Sequence, residues 1–275
     1  MQPFDRLLLA TGAQAIRPPI PTVDGAPPAI TLRSMADLDR ATPLALSGEP
    51  TPARVPPGLA APRGEASRPL IVGIVNATPD SFYAASRSAG REAAVERGLR
   101  LAEEGADMLD IGGESTRPGS EPVSAEEENG RVLPVIAALA KRVNLPLSVD
   151  TCKAEVAERA RAAGATALND VTALRGDPAM LSVAPRFETV ILMHMLGRPR
   201  TMQDAPRYAD VVGEICAFFR DRLSAFSAAG GDISRVWLDP GIGFGKTLDH
   251  NLEILRRLEE FRSLGRPVIL GASRK

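Results

Sequence analysis

Polar side chains able to do chemistry recur in this chain at the ends of short apolar runs. Asn76 follows LIVGIV (70–75), the run Glu114, Ser115, Thr116, Arg117 follows MLDIGG (108–113), and Asp150 closes LPLSVD (145–150). Asn169 and Asp170 lie in TALNDV (166–171), His194 ends TVILMH (189–194), Asp239 ends RVWLD (235–239), and Ser273, Arg274 and Lys275 stand at the end of PVILGASRK. Carboxylates accept hydrogen bonds from N–H groups, and an asparagine amide both donates and accepts. Carboxylates held close to a developing positive charge also stabilise it. No nucleophile and base stand out as a pair, so the set points to binding and charge stabilisation rather than a covalent enzyme intermediate.

Such residues must be positioned by the elements between them. Helical spacing fills AAVERGLRLAEEGA (93–106), AEEENGRVLPVIAALAKRV (125–143, with Pro134 as a kink or break), KAEVAERARAAGA (153–165), the long amphipathic 208–230 and DHNLEILRRLEEFRSLG (249–265). Strand and helix therefore alternate, which predicts parallel strands joined by crossover helices. Seven strand candidates lie in the region from residue 70 onward, close to what a (β/α)8 barrel needs. In such a barrel every polar cluster named above falls on one rim. A doubly wound open sheet is the alternative, and it would put no constraint on where the chain stops.

Each residue also has a plainer reading. Asp150 would cap the helix that starts near Lys153, Asn169, Asp170 and Asp239 would serve turns, and His194 would be a packed rim residue. GIGFGKT (241–247) looks like a phosphate loop, but that motif wants glycine where Pro240 stands. Cys152 and Cys216 have no metal-type spacing and read as free thiols in a reducing cytosol. The 275 residues are 44% hydrophobic and 24% charged with a net charge of −1, which gives no bulk attraction to nucleic acid. No run approaches the ~18 apolar residues of a membrane span, and the N-terminus lacks the pattern of a secretory signal. A cytoplasmic protein acting on small molecules is expected.

Taken together the motifs are specific. NATPDSF (76–82), GGESTRPG (112–119), SVDT (148–151), LND (168–170), LMHM (192–195), LDPGIGFGKT (238–247) and GASRK (271–275) resemble, in order and spacing, the dihydropteroate synthase family of pterin-binding barrels. The resemblance implies condensation of 7,8-dihydropterin-6-ylmethyl diphosphate with 4-aminobenzoate to 7,8-dihydropteroate and pyrophosphate. It implies that Asp150, Asn169, Asp239 and Lys275 hold the pterin with Met195 packed against it, and that Asn76 helps bind Mg2+ and the diphosphate. It places Phe244, Thr116 and Pro118 near the aminobenzoate, with Arg117 on a mobile loop, and gives catalytic weight to Asp150, Lys275 and Asp80. Barrels of the methyltransferase type share the strand-end Asp and Asn but do not usually combine STRPG, GFGK and SRK.

Two departures from the family pattern stand out. After NATPDSF the family continues with a Ser-Asp-Gly-Gly type turn, where this chain reads YAASRSAG (83–90). The family also follows SRK with a helix, an eighth strand bearing Arg-x-His, and a closing helix used in its homodimer. The expectation is therefore a (β/α)8 TIM barrel over 69–275 that lacks its last strand-helix unit, behind an irregular extension. That extension divides into residues 1–43, which resemble over 4–40 a fragment of a flavin-dependent pyridine-nucleotide reductase, and a Pro/Gly-rich linker, 44–68. An unclosed barrel exposes two strand edges. Three remedies are open: a longer natural chain, a swapped unit from another chain, or RLLLATG (6–12) folded into the slot.

Overall fold

The computed structural model describes residues 7–11, 69–78, 84–115, 121–197, 202–203 and 205–271. Its centre is a closed ring of eight parallel strands in chain order. They are β1 (Leu7–Thr11), β2 (Leu70–Asn76), β3 (Met108–Gly112), β4 (Leu147–Asp150), β5 (Ala167–Asp170), β6 (Thr189–Met193), β7 (Val236–Asp239) and β8 (Val268–Gly271). The seven strands from β2 to β8 are those expected from the sequence. The slot between β8 and β2 is taken by β1, the third of the three remedies. Leu8 pairs with Leu70 on one side and with Ile269 on the other, so both edges of the seven-stranded sheet are covered. The rest of the reductase-like segment, and the linker, lie outside the described residues.

Around the ring stand α1 (Ala84–Glu103), α2 (Ala125–Leu139), α3 (Ala154–Ala163), the short α4 (Met180–Val183), α5 (Val211–Ala228) and α6 (Leu248–Arg256). The stretch 84–90, read from the sequence as part of an altered loop, is the first two turns of α1. Ala84, Ala85, Ser86, Arg87, Ser88 and Ala89 tolerate helix, whereas the glycine pair of the family turn would have stopped it. Pro134 neither breaks nor ends α2, which runs on to Leu139. The Ser124 side chain caps that helix by accepting from the Glu127 N–H at 3.1 Å. The last helical stretch divides into α6 and a 3-10 turn over Leu258–Leu264.

Both faces of the ring are buried, which is why its strands read as near-continuous apolar runs. Alternate residues point outward to the helices: Leu109 and Ile111, Val149, Leu168, Val190 and Leu192, Leu238, Val268 and Leu270 belong to one core with the helical side chains. The residues between them point into the ring. Leu70, Val72, Met108, Ala167, Ile191, Trp237 and Ile269 form a separate apolar floor inside it. The inward positions above that floor, toward the C-terminal ends of the strands, carry the polar residues.

If β1 closes the ring, Leu9→Pro removes a ladder donor between Ile71 and Leu270. A loss of about 1–3 kcal/mol in chemical denaturation is expected, with association visible in size-exclusion chromatography as the sheet edges open. An unchanged denaturation midpoint would place β1 outside the sheet.

Candidate active site

The upper inward layer is set by strand register. Gly112 lies beside Asp150, Asp150 beside Asn169, and Met193 beside Asp239. Adjacent strands lie about 4.8 Å apart, so Asp150 and Asn169 are neighbours on the inner wall. A Cβ added at Gly112 would lie 3.5 Å from Asp150 Oδ2, and one at Gly271 would lie 3.8 Å from Asp239 Oδ2. Both carboxylates thus turn over glycines of the inner face. Asp150 does not cap α3: the N-cap is Lys153, and the first helical N–H, of Ala154, goes to Asp177 Oδ2 at 2.9 Å.

One layer lower lies a residue that reading the strand ends passed over. Asp110, in the middle of β3, accepts from Asn169 Nδ2 at 2.9 Å through Oδ2. Burial holds its carboxyl above the usual carboxylate range, against the pull of the neighbouring Ser148 hydroxyl and of the Asn169 hydrogen bond. Its Oδ1, and the Oγ of Ser148 beside it in register, are buried without a hydrogen-bond partner among the described residues. Such orphaned polar atoms are uncommon in an interior, and here they belong to residues on the inner face of the ring. The signal was present in the sequence: an acidic residue two positions before Gly112 shares its face of β3.

Neighbouring polar residues have structural work. Asp170 is fully buried and accepts from the Thr172 N–H and Oγ1, both at 2.7 Å, and from the Leu174 N–H at 3.0 Å. It holds Ala173 and Leu174 at φ 52° and 63°, a left-handed conformation that costs a non-glycine residue energy. Glu114 is engaged by Lys153, which also reaches the buried Glu128 at 2.5 Å. Cys152, with its thiol pushed up to about 12 by burial and by the Asp170 charge, is no nucleophile.

The adjoining wall is built by the loops after β6 and β7. Met195 and Phe244, predicted to meet the substrates, do come together: Phe244 packs on a cluster of Val171, Met193, Met195 and Met202. The β7 loop follows the β6 loop so closely that a Cβ at Gly241 would lie 2.0 Å from His194 O, and one at Gly245 would lie 2.7 Å from the Leu196 Cβ. Both glycines also have positive φ, 68° and 65°, so the GIGFG run answers backbone contact rather than phosphate. Asp239 serves this turn with one oxygen, accepting from the Gly241 N–H at 2.8 Å. His194 is the packed rim residue expected, edge-on to Phe218 at 4.9 Å. Burial, with the Lys246 and Arg175 charges, pushes it down to about 3, so it stays neutral.

Asn76 ends β2 with its side chain exposed at the rim. Asp80, Thr116, Arg117, Pro118 and Lys275 lie outside the described residues. The geometry thus gathers Asp150, Asn169, Asp239, Met195, Phe244 and Asn76 at one mouth, and adds Asp110.

Asp170→Ala is expected to cost about 2–4 kcal/mol in urea unfolding, because two buried N–H groups lose their acceptor. A pH effect follows from Lys246, pushed down to about 7 by burial against the attraction of Asp239. Between about 7 and 10.5 the unfolded chain holds a proton that the folded chain lacks, so this residue makes stability rise with pH. Denaturation profiles of Lys246→Met should lack that increment.

Residues 72–275 match the family of pterin binding enzymes. The dihydropteroate synthase of Escherichia coli K12 is 43% identical over 209 residues, spanning 76% of this chain and 74% of that protein. The solved dihydropteroate synthase of Xanthomonas albilineans with 4-aminobenzoic acid is 51% identical, with a TM-score of 0.69 over 75% of this chain and 74% of that one. The same enzyme in complex with 7,8-dihydropteroate aligns at 46% identity with a TM-score of 0.65, over 75% of this chain and 72% of that one. The matched family region begins after β1 and the linker, and it contains every site residue named above. With a family match over most of its length and relatives of this identity and coverage, the chain belongs to the pterin binding enzyme family, among its dihydropteroate synthases.

Proposed function

We propose that the chain condenses 7,8-dihydropterin-6-ylmethyl diphosphate with 4-aminobenzoate, giving 7,8-dihydropteroate and pyrophosphate. The observation that carries this reading is the polar layer of Asp110, Asp150, Asn169 and Asp239 above the apolar floor. A pterin edge offers N–H donors and acceptors. Asp150 and Asp239 can accept from it, the Asn169 amide can do both, and the unpartnered Asp110 Oδ1 and Ser148 Oγ are available below. The flat ring would lie against Met195, and the aminobenzoate ring against Phe244.

In the reaction the bond from the pterin methylene to the diphosphate oxygen breaks and a carbon–nitrogen bond to the aminobenzoate amine forms. The amine proton leaves to solvent, and pyrophosphate departs with the electron pair of the broken bond. Positive charge grows on the methylene as the leaving group departs, and the carboxylates around the mouth stabilise it. Water is kept from below by Met108, Ile191 and Trp237 of the floor. Asn76 offers a hard amide oxygen exposed at the rim, which suits Mg2+ that keeps most of its water and takes diphosphate oxygens. Bound there, Mg2+ would neutralise charge on the leaving group. The same reading assigns Thr116, Arg117, Pro118 and Lys275 to the substrates, gives Asp80 a catalytic role, and assigns the protein to the cytoplasm. Among the described residues no helix is long and apolar enough to cross a membrane.

A second reading, pterin binding without turnover, is favoured by the identity of β1. The strand that fills the eighth position is LLLAT, with no cationic residue to grip a diphosphate.

Incubation with both substrates and Mg2+ should yield dihydropteroate and pyrophosphate in equal amounts. Asp150→Asn is expected to lower that rate by about 10²–10³-fold. Calorimetric binding of the pterin diphosphate with no pyrophosphate released would favour the second reading, and no binding at all would remove both.

A further inference from the structure

Lys246 is a buried lysine that the reaction above does not use. It is 3% exposed. Its Nζ donates to Phe244 O at 3.0 Å and to His194 O at 3.3 Å, and lies 3.0 Å from His194 Nδ1. An ammonium carries three N–H donors, and here three acceptors surround it. The neutral His194 ring accepts at Nδ1, which leaves its proton on Nε2. Two of the acceptors are main-chain carbonyls, one at the end of β6 and one in the loop after β7. The lysine therefore ties two loops that are adjacent in space and fifty residues apart in sequence.

Other contacts converge on the same seam. The His194 N–H donates to Asp239 O at 2.8 Å. Tyr208 donates its hydroxyl to Gly245 O at 2.9 Å, and Gln203 Nε2 donates to Gly243 O at 2.7 Å. These bonds grip the residues on either side of Phe244. Lys246 bonds the Phe244 carbonyl itself, while holding the residue next to Met195.

We propose that Lys246 is a positioning residue for the aromatic amine substrate: it locks the β7 loop to the β6 loop and so sets the place of Phe244 relative to the carboxylates of the mouth. The choice of substrate rests on the synthase reading, whereas the locking of the two loops does not. A methionine of similar length would fill the space but leave both carbonyls without their donor.

The test uses the full chain carrying Lys246→Met, with Lys246→Gln, which keeps two N–H donors, read in the same way if the first does not fold. Amide hydrogen exchange over 194–197 and 240–247 is expected to rise about tenfold or more while β3, β4 and β5 stay protected. In steady-state assays the KM for 4-aminobenzoate should rise about tenfold and that for the pterin diphosphate by less than about threefold. Unchanged exchange in the two loops overturns the proposal, as does a rise spread over the whole barrel, which would mark general packing. A local rise with both KM values moving together overturns the assignment to the aromatic substrate. If the unaltered chain makes no product, the synthase reading fails, and the exchange measurement still decides whether Lys246 locks the loops.

Discussion

Closure of a parallel ladder is the constraint on which the rest of this molecule depends. Each strand of the ring has buried N–H and C=O groups that must be paired on both sides. Once the ring is closed, alternate side chains have nowhere to point but inward, and their heights follow from register alone. Asp150 and Asn169 meet because they pair in register, and Asp239, paired with Met193, ends its strand at the same rim. β1 satisfies the pairing requirement with a segment far from the others in sequence. Its apolar residues suit that purpose, which concerns the backbone more than the side chains.

Gathering carboxylates in one mouth is unfavourable in itself, since like charges and burial both disfavour ionisation. Asp110, the deepest of them, is held above the usual range by burial and is offset in part by Asn169. A ligand that brings N–H donors, or that becomes positive during reaction, relieves this condition. The free protein is thereby disposed toward a substrate of that kind. The apolar floor contributes by denying the carboxylates water from beneath.

The rim is rigid where its polar groups are satisfied by other parts of the rim. Asp170 holds two left-handed residues after β5, Lys153 joins Glu114 to Glu128, and Lys246 joins the loops after β6 and β7. The Asp170 bonds stay within one turn, whereas the two lysine links join segments far apart in sequence. The Lys246 link holds Met195 and Phe244 together in an apolar cluster on the β6–β7 side of the mouth, next to Asp239.

Short, near-continuous apolar runs, each ended by a polar residue, were enough to derive from the sequence the seven strands, their parallel order and the rim that bears Asn76, Asp150, Asn169 and Asp239. Those features are local, because alternation within a strand and the direction of a crossover are properties of short segments. Asp110 and Lys246 were legible only as one polar residue inside an apolar strand and one lysine after a glycine-rich turn. Their partners, Asn169 and the carbonyls of His194 and Phe244, lie on other strands or loops. The helical start at Ala84 was hidden by the expectation of a turn, although the residues themselves favour helix. The tertiary structure alone decided that LLLAT closes the ring, since an isolated apolar strand carries no mark of which edge it will pair with.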